Sequence, residues 1–164
     1  MEGVNVAFSI GDKVVYPMHG AGVIESIEDH EVLGERRGYY IMRLPLGDMK
    51  VMIPVENADE IGLRQVIPSE EVSQVLDLLQ AEPAPMDNNW NHRYRMHLEK
   101  IKSGDIFAVA EVVRNLTLRN KGKGLSTGER KMLESAWQIL VSELVLAKGV
   151  EAGTVESLLQ RVLA

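Results

Sequence analysis

Glu82–Met86 reads EPAPM, and prolines at 83 and 85 prevent any helix from crossing it. The apolar pattern changes across this segment. Upstream lie short β-branched and aromatic runs broken by Gly and Pro, then one helical stretch. Downstream, every apolar run has helical spacing. A chain punctuated this way is α+β, strands first and helices after, with a stiff connector between. The expected division is a β domain over 1–67, a connecting helix and Pro-rich linker over 68–86, and a helical domain over 87–164.

Phe8–Arg64 reads as strands and turns. Lys13–Tyr16 (KVVY) is closed by Pro17, and His19-Gly20-Ala21-Gly22 reads as a turn into Val23–Glu28. Gly34 marks a hairpin before Tyr39–Leu44 (YYIMRL). Pro45-Leu46-Gly47-Asp48 is a second turn, and Lys50–Ile53 (KVMI) runs into Pro54. Strands this short and close, with glycine at the turns, point to a small antiparallel barrel or strongly bent sheet. Such a sheet tends to leave an edge open, and an open edge can accept a partner's strand. Ile61–Arg64 and Pro68 form the exit, and Ser69 caps a helix to about Ala81 with Val72, Val75, Leu76 and Leu79 on one face.

The next stretch, Asn88–Lys102 (NNWNHRYRMHLEKIK), scans as a helix capped by Asp87 or Asn88 and stopped at Gly104. Trp90, Tyr94, Leu98 and Ile101 form one apolar stripe, with His92, Arg93, Arg95, Lys100 and Lys102 elsewhere on the wheel. Two readings of Trp90 stand side by side. It is a core residue beneath a solvated cationic face, or a flat apolar ring presented by a basic helix to nucleic acid. Asp105 caps a further helix to about Arg119, followed by the basic loop Asn120–Gly124 (NKGKG). Ser126-Thr127-Gly128-Glu129 is a capping box. It opens a helix to Lys148 that ends at Gly149 and should bury Trp137. A last helix spans Ala152–Leu163. Four helices with short loops after the linker imply a compact bundle.

Net charge is −6, but it is unevenly spread. Residues 1–90 hold 6 Lys/Arg against 16 Asp/Glu, residues 91–131 hold 10 against 4, and residues 132–164 hold 2 against 4. A basic centre between acidic flanks suggests one anionic partner and one that is not. Lys121, Lys123, Arg130 and Lys131 gather at a helix start, where free N–H groups favour phosphate. A patch this small binds DNA weakly alone, since affinity follows the number of phosphates neutralised.

Catalytic chemistry finds little support. There is no cysteine, hence no disulfide, thiolate or Cys-ligated metal, which fits a reducing cytoplasm. His19-Gly20-Ala21-Gly22 opens no helix and is no phosphate loop; His92 and His97, five apart, diverge and lack zinc spacing. Glu28-Asp29-His30-Glu31 has metal-binding residue types but reads as an exposed hairpin end. Neither a leader in MEGVNVAFSIGDKV nor a membrane-spanning run is expected. The expectation is a non-enzymatic, cytoplasmic monomer without cofactor, metal or small-molecule substrate.

Four blocks, GDKVVYPMHGAGVIESIE (Gly11–Glu28), MIPVENADEIGLR (Met52–Arg64), NWNHRYRMHLEKIKSGD (Asn89–Asp105) and GLSTGERKML (Gly124–Leu133), carry a resemblance. In order and spacing the chain resembles the CarD/CdnL family of bacterial RNA polymerase-binding transcription regulators. The first block is also similar to the polymerase-interacting module of the transcription-repair coupling factor, whose ATPase motifs are missing. The resemblance implies a Tudor/SH3-like β domain that docks on the lobe of the polymerase β subunit, within holoenzyme carrying the housekeeping sigma factor. Its edge strand matches Lys50, Val51, Met52, Ile53 and Pro54, with Met52 and Pro54 foremost. Some members carry arginine at the positions of His30 and Met52, so docking here should be more apolar and less salt-sensitive. The helical domain would face promoter DNA at the upstream edge of the bubble. There Trp90 matches a wedging tryptophan, and Arg93, Arg95, Arg130 and Lys131 match phosphate-holding cations.

Overall fold

The structure, a computed structural model, describes residues 8–45 and 48–164. Half of the stretch read for a leader, and the Leu46-Gly47 centre of the expected second turn, lie outside the described residues.

Strands β1 (Lys13–Tyr16), β2 (Gly20–Val32), β3 (Glu35–Arg43), β4 (Lys50–Pro54) and β5 (Arg64–Gln65) form one antiparallel sheet in the order β4-β3-β2-β1-β5. Alternation along the strands sends Val14, Ile24, Tyr40, Met42 and Ile53 to one face. There they pack with Phe8, Val55, Ala58 and Leu63 as the first core. A bulge between Ile24 and Ser26 bends β2, and Glu25 at the bulge reaches Lys50 at 3.0 Å and Arg43 at 3.7 Å. The β2–β3 hairpin closes on Leu33 and Gly34 with φ of 53° and 80°, both left-handed, as a two-residue primed turn requires.

Two stretches fold otherwise than their sequence suggests. Gly20-Ala21-Gly22 is strand, not turn. Glycine is needed there for space: a Cβ on Gly22 would lie 2.4 Å from the Arg43 carbonyl oxygen, and one on Gly20 2.9 Å from Ser142 Oγ. The exit contains a 3-10 turn (Val55–Asn57) and a short helix α1 (Ala58–Ile61), capped by Gly62 at φ 86°. One turn of helix is too short to register as periodicity.

Beyond a 3-10 turn at Ser69–Glu71 come α2 (Val72–Gln80), α3 (Trp90–Lys102), α4 (Ile106–Gly122), α5 (Thr127–Lys148) and α6 (Ala152–Leu163). Ser69 makes no side-chain cap. Val72, Val75 and Leu79 of α2 sit in the second core with Ile101, Ile106, Val113, Leu116, Leu140, Leu144 and Leu159. Helix α2 is therefore part of the bundle, which has five helices among the described residues rather than four. Asn120–Gly122 finishes α4, so the basic loop is shorter than its sequence suggests. No helix among the described residues is long and apolar enough to cross a membrane.

Helix α5 also seals the sheet to the bundle. Ser142 Oγ accepts from Ala21 N at 2.9 Å, and Lys13 Nζ donates to the Leu146 carbonyl at 3.1 Å. Arg64 grips the buried Glu143 carboxylate with both terminal nitrogens, at 2.7 and 2.8 Å. Ile67 N adds a third bond to that carboxylate at 3.0 Å, and Arg64 Nε donates to the Gly104 carbonyl at 2.8 Å. A bidentate pair with its remaining lone pairs satisfied is a rigid joint.

Candidate nucleic-acid interface

Helix α3 starts one or two residues later than the Asp87 or Asn88 cap would have it. The cap is Asn89, whose side chain accepts from His92 N at 3.2 Å. Asp87 stands outside the helix, accepting from Asn89 N at 2.9 Å and contacting His92 Nδ1 at 3.2 Å. The Asn89 N–H bond, opposed by desolvation and helped by His92, holds its carboxyl below the usual range. This cap makes Trp90 the first residue of the helix, with 42% of its surface open. The indole stacks on Tyr94 (centroids 4.9 Å apart, planes at 18°), and its Nε1 donates to Ser126 Oγ at 3.0 Å.

The helix's inward face is not the stripe the sequence suggests. Arg93, His97 and Ile101 are buried, while Tyr94 and Leu98 are half-buried. Arg93 is thus no free phosphate ligand. Its Nε donates to Glu129 Oε2 at 2.8 Å and its Nη2 to Oε1 at 3.3 Å, while Nη1 reaches the Asp87 carbonyl at 3.1 Å. Both side chains are at most 3% exposed. Glu129 is also the capping-box acid of α5, bonded to the Ser126 backbone and hydroxyl. Burial pushes its carboxyl up, but Arg93 and the Ser126 N–H outweigh that and hold it below its usual range. Helical spacing along α3 cannot reveal a partner on α5, which is why Arg93 passed for a surface cation.

His97 is fully buried. Its Nε2 faces Asn115 Nδ2 at 3.2 Å and its Nδ1 has no partner. Burial, then the nearby Lys100 charge, lower its pKa to about 4, so the ring is neutral at pH 7.

The cations of the basic centre divide sharply. Arg93 and Arg114 are buried, the latter holding the Leu78 carbonyl at 3.1 Å. Lys100 pairs with Glu111, and Lys121 donates to the Leu163 carbonyl. Arg95, Lys102, Lys123, Arg130 and Lys131 are exposed and have no carboxylate partner among the described residues. Arg119, which sequence reasoning passed over, is half-buried near Glu129 with its Nε unpartnered. The capping box takes up the N–H groups of Ser126 and Glu129 at the α5 start, so an anion there would meet fewer open N–H groups and rely more on the exposed cationic side chains. Trp137 is half-buried, not buried; with Leu125, Arg130 and Leu133 it lines a surface hollow.

On the sheet, β4 pairs only with β3, and among the described residues no strand pairs with its outer edge. Lys50, Met52 and Pro54 oppose Arg43, Ile41 and Tyr39 and share their face; Met52 is 45% exposed. Val51 is half-buried and Ile53 wholly buried in the first core, so Ile53 can offer a partner only its backbone. His30 lies on β2 opposite Arg37, four β3 positions away from the Met52 partner, with its ring on Tyr39 and Glu28. It is separated from Met52 by roughly 16 Å, from four residue rises and two strand spacings. Glu28-Asp29-His30-Glu31 does not converge, and among the described residues no group of three or more His, Asp or Glu side chains is placed to hold a metal ion.

Comparison with known proteins accounts for both halves of the chain. Residues 8–67 match the family model described as CarD-like/TRCF RID domain, and residues 74–160 match CarD, C-terminal domain. The second match begins within α2, in keeping with that helix's place in the bundle. A Bacillus subtilis (strain 168) protein named "Putative transcription factor YdeB" is 39% identical over 150 residues, covering 92% of this chain and 98% of that protein. The solved CdnLNt from Myxococcus xanthus is 37% identical, covers 41% of this chain and 94% of its own, and has a TM-score of 0.32. An antiparallel sheet joined to a helical bundle, two matching domain models in order and a near full-length relative lead to one assignment: the chain belongs to the CarD/CdnL family of transcription regulators.

Proposed function

We propose that this regulator docks through the open β4 edge on the lobe of the RNA polymerase β subunit and stabilises the open promoter complex with Trp90. The observation that carries this reading is the Trp90 ring, partly open to solvent at the start of α3 and bonded to the start of α5, two helices that also carry the exposed, unpaired Arg95, Arg130 and Lys131. An apolar ring at a distorted base step offsets lost stacking, while phosphate contacts hold it in place without reading sequence. Unstacking costs roughly a few kcal/mol, and a stacked aromatic returns about 1–3 kcal/mol. The protein would therefore oppose reclosure of melted DNA rather than melt it alone. The exposed cations are few, so polymerase tethering must supply the effective concentration. The Arg64–Glu143 joint supports such a division of labour, because a rigid link delivers tethering energy to a defined point. On this reading the protein acts as a monomer in the cytoplasm, on the nucleoid through polymerase, and is not an enzyme.

The test places a photo-crosslinking amino acid at position 90. It should label DNA at the upstream fork when holoenzyme and promoter are both present, and Met52→Glu should abolish the labelling. Labelling without polymerase, or only of protein, would refute the reading.

A further inference from the structure

We propose that Ser126 is a positioning residue for Trp90, its hydroxyl fixing the angle at which the indole meets its partner. This rests on the reading of Trp90 given above. An indole on the first turn of a helix, 42% open, has several staggered rotamers available. Stacking on Tyr94 limits tilt, and Gly128 lies close enough that a Cβ there would sit 3.6 Å from both rings. Those contacts are non-directional. The bond from Nε1 to Ser126 Oγ at 3.0 Å is directional, and alone selects one orientation of the ring edge.

The hydroxyl is itself held. It accepts from Glu129 N at 3.1 Å and from the indole, and donates to Glu129 Oε1 at 3.3 Å, which uses its full capacity of two acceptor sites and one donor. Glu129 is fixed by Arg93, and Arg93 reaches back to the Asp87 carbonyl just before Trp90. The result is a closed loop of bonds from the segment that carries Trp90, through two buried charges, to the atom that holds the ring. Nothing in Ser126-Thr127-Gly128-Glu129 as a motif announces this second role; a capping box needs only the helix it starts.

The two roles of Ser126 separate by substitution. Ser126→Gly keeps a tolerable N-cap at φ −65° but removes the indole's acceptor, whereas Ser126→Thr keeps both. In full-length protein carrying Trp137→Phe, leaving Trp90 as the sole indole, the probe is the indole Nε1–H resonance and its exchange with water. Ser126→Gly should shift the resonance, speed exchange and lower the ring's fluorescence anisotropy; Ser126→Thr should leave all three unchanged. At equal polymerase occupancy, Ser126→Gly should shorten open-complex lifetime by about 2- to 10-fold, the cost of ordering one side chain on binding. An unchanged resonance and anisotropy in Ser126→Gly would overturn the positioning role. So would a freed ring with unaltered lifetime where Trp90→Ala shortens it. If Trp90→Ala itself has no effect on lifetime, the promoter reading fails, and the resonance still decides the role of Ser126.

Discussion

Arg93→Ala separates a structural cation from a DNA-binding one. The guanidinium makes two bonds to Glu129 and one to the Asp87 carbonyl, and both charges are nearly sealed from solvent. Its removal leaves a buried carboxylate hydrogen-bonded only by Ser126, with Arg119 nearby but not bonded to it, a defect worth about 3–5 kcal/mol. At about 2–4 °C per kcal/mol for a chain of this size, Tm should fall roughly 6–20 °C. Arg93→Lys keeps the charge but not the fork, and should recover only part of the loss. Urea unfolding followed by circular dichroism gives the stability. The salt dependence of open-complex stabilisation gives the phosphate count, at about 0.9 in slope per contact. Arg93→Ala should leave that slope unchanged under conditions where the variant is folded. Loss of under about 1 kcal/mol, or a slope reduced by one contact, would refute the structural assignment.

Arg130→Ala with Lys131→Ala should behave in the opposite sense, lowering the same slope by about 1.8 with stability within about 0.5 kcal/mol per site. The His97 pKa is depressed in the folded protein, so the unfolded chain takes its proton first as pH falls. Stability from this ring is intact above about pH 6.5 and should decline by roughly 3 kcal/mol down to about pH 4, as urea titrations read; His97→Gln should flatten that part of the profile. Gly128→Ala gains ordinary contact with Trp90 and Tyr94 and loses a helical glycine, so it should raise stability by about 0.5–1 kcal/mol. Gly22→Ala, whose Cβ would collide with the Arg43 carbonyl, should instead destabilise by several times that amount.

Local chemistry was legible in the sequence, and long-range pairing was not. The Ser126–Glu129 capping box, the Asp105 cap and the Gly149 stop are set by residues within one turn, and the structure has each where the spacing puts it. Strands β1 and β4 were plain from β-branched runs beside prolines. Gly20 and Gly22 misled because a glycine making space for Arg43 or Ser142 looks the same in sequence as one making a turn. Helix α2 was legible as a helix but read as a connector outside the bundle, because its partners lie on α4 and α6. At the site, a first-turn position left Trp90 open between core and exposed ring, and the structure leaves it 42% exposed. The sinking of Arg93 depended on Glu129, 36 residues on, and the Ile53 side chain turned into the core once its face of β4 was fixed, leaving its backbone on the edge.

The role proposed for Trp90 is to hold the promoter open from a polymerase-bound frame. Its most direct test is the lifetime of open complexes on a fast-closing promoter with housekeeping holoenzyme, compared without addition, with wild-type protein and with Trp90→Ala. A longer lifetime with wild type, largely lost in Trp90→Ala at equal polymerase binding, is the expected result. An unchanged lifetime with wild type bound, or an extension that survives Trp90→Ala, would contradict it.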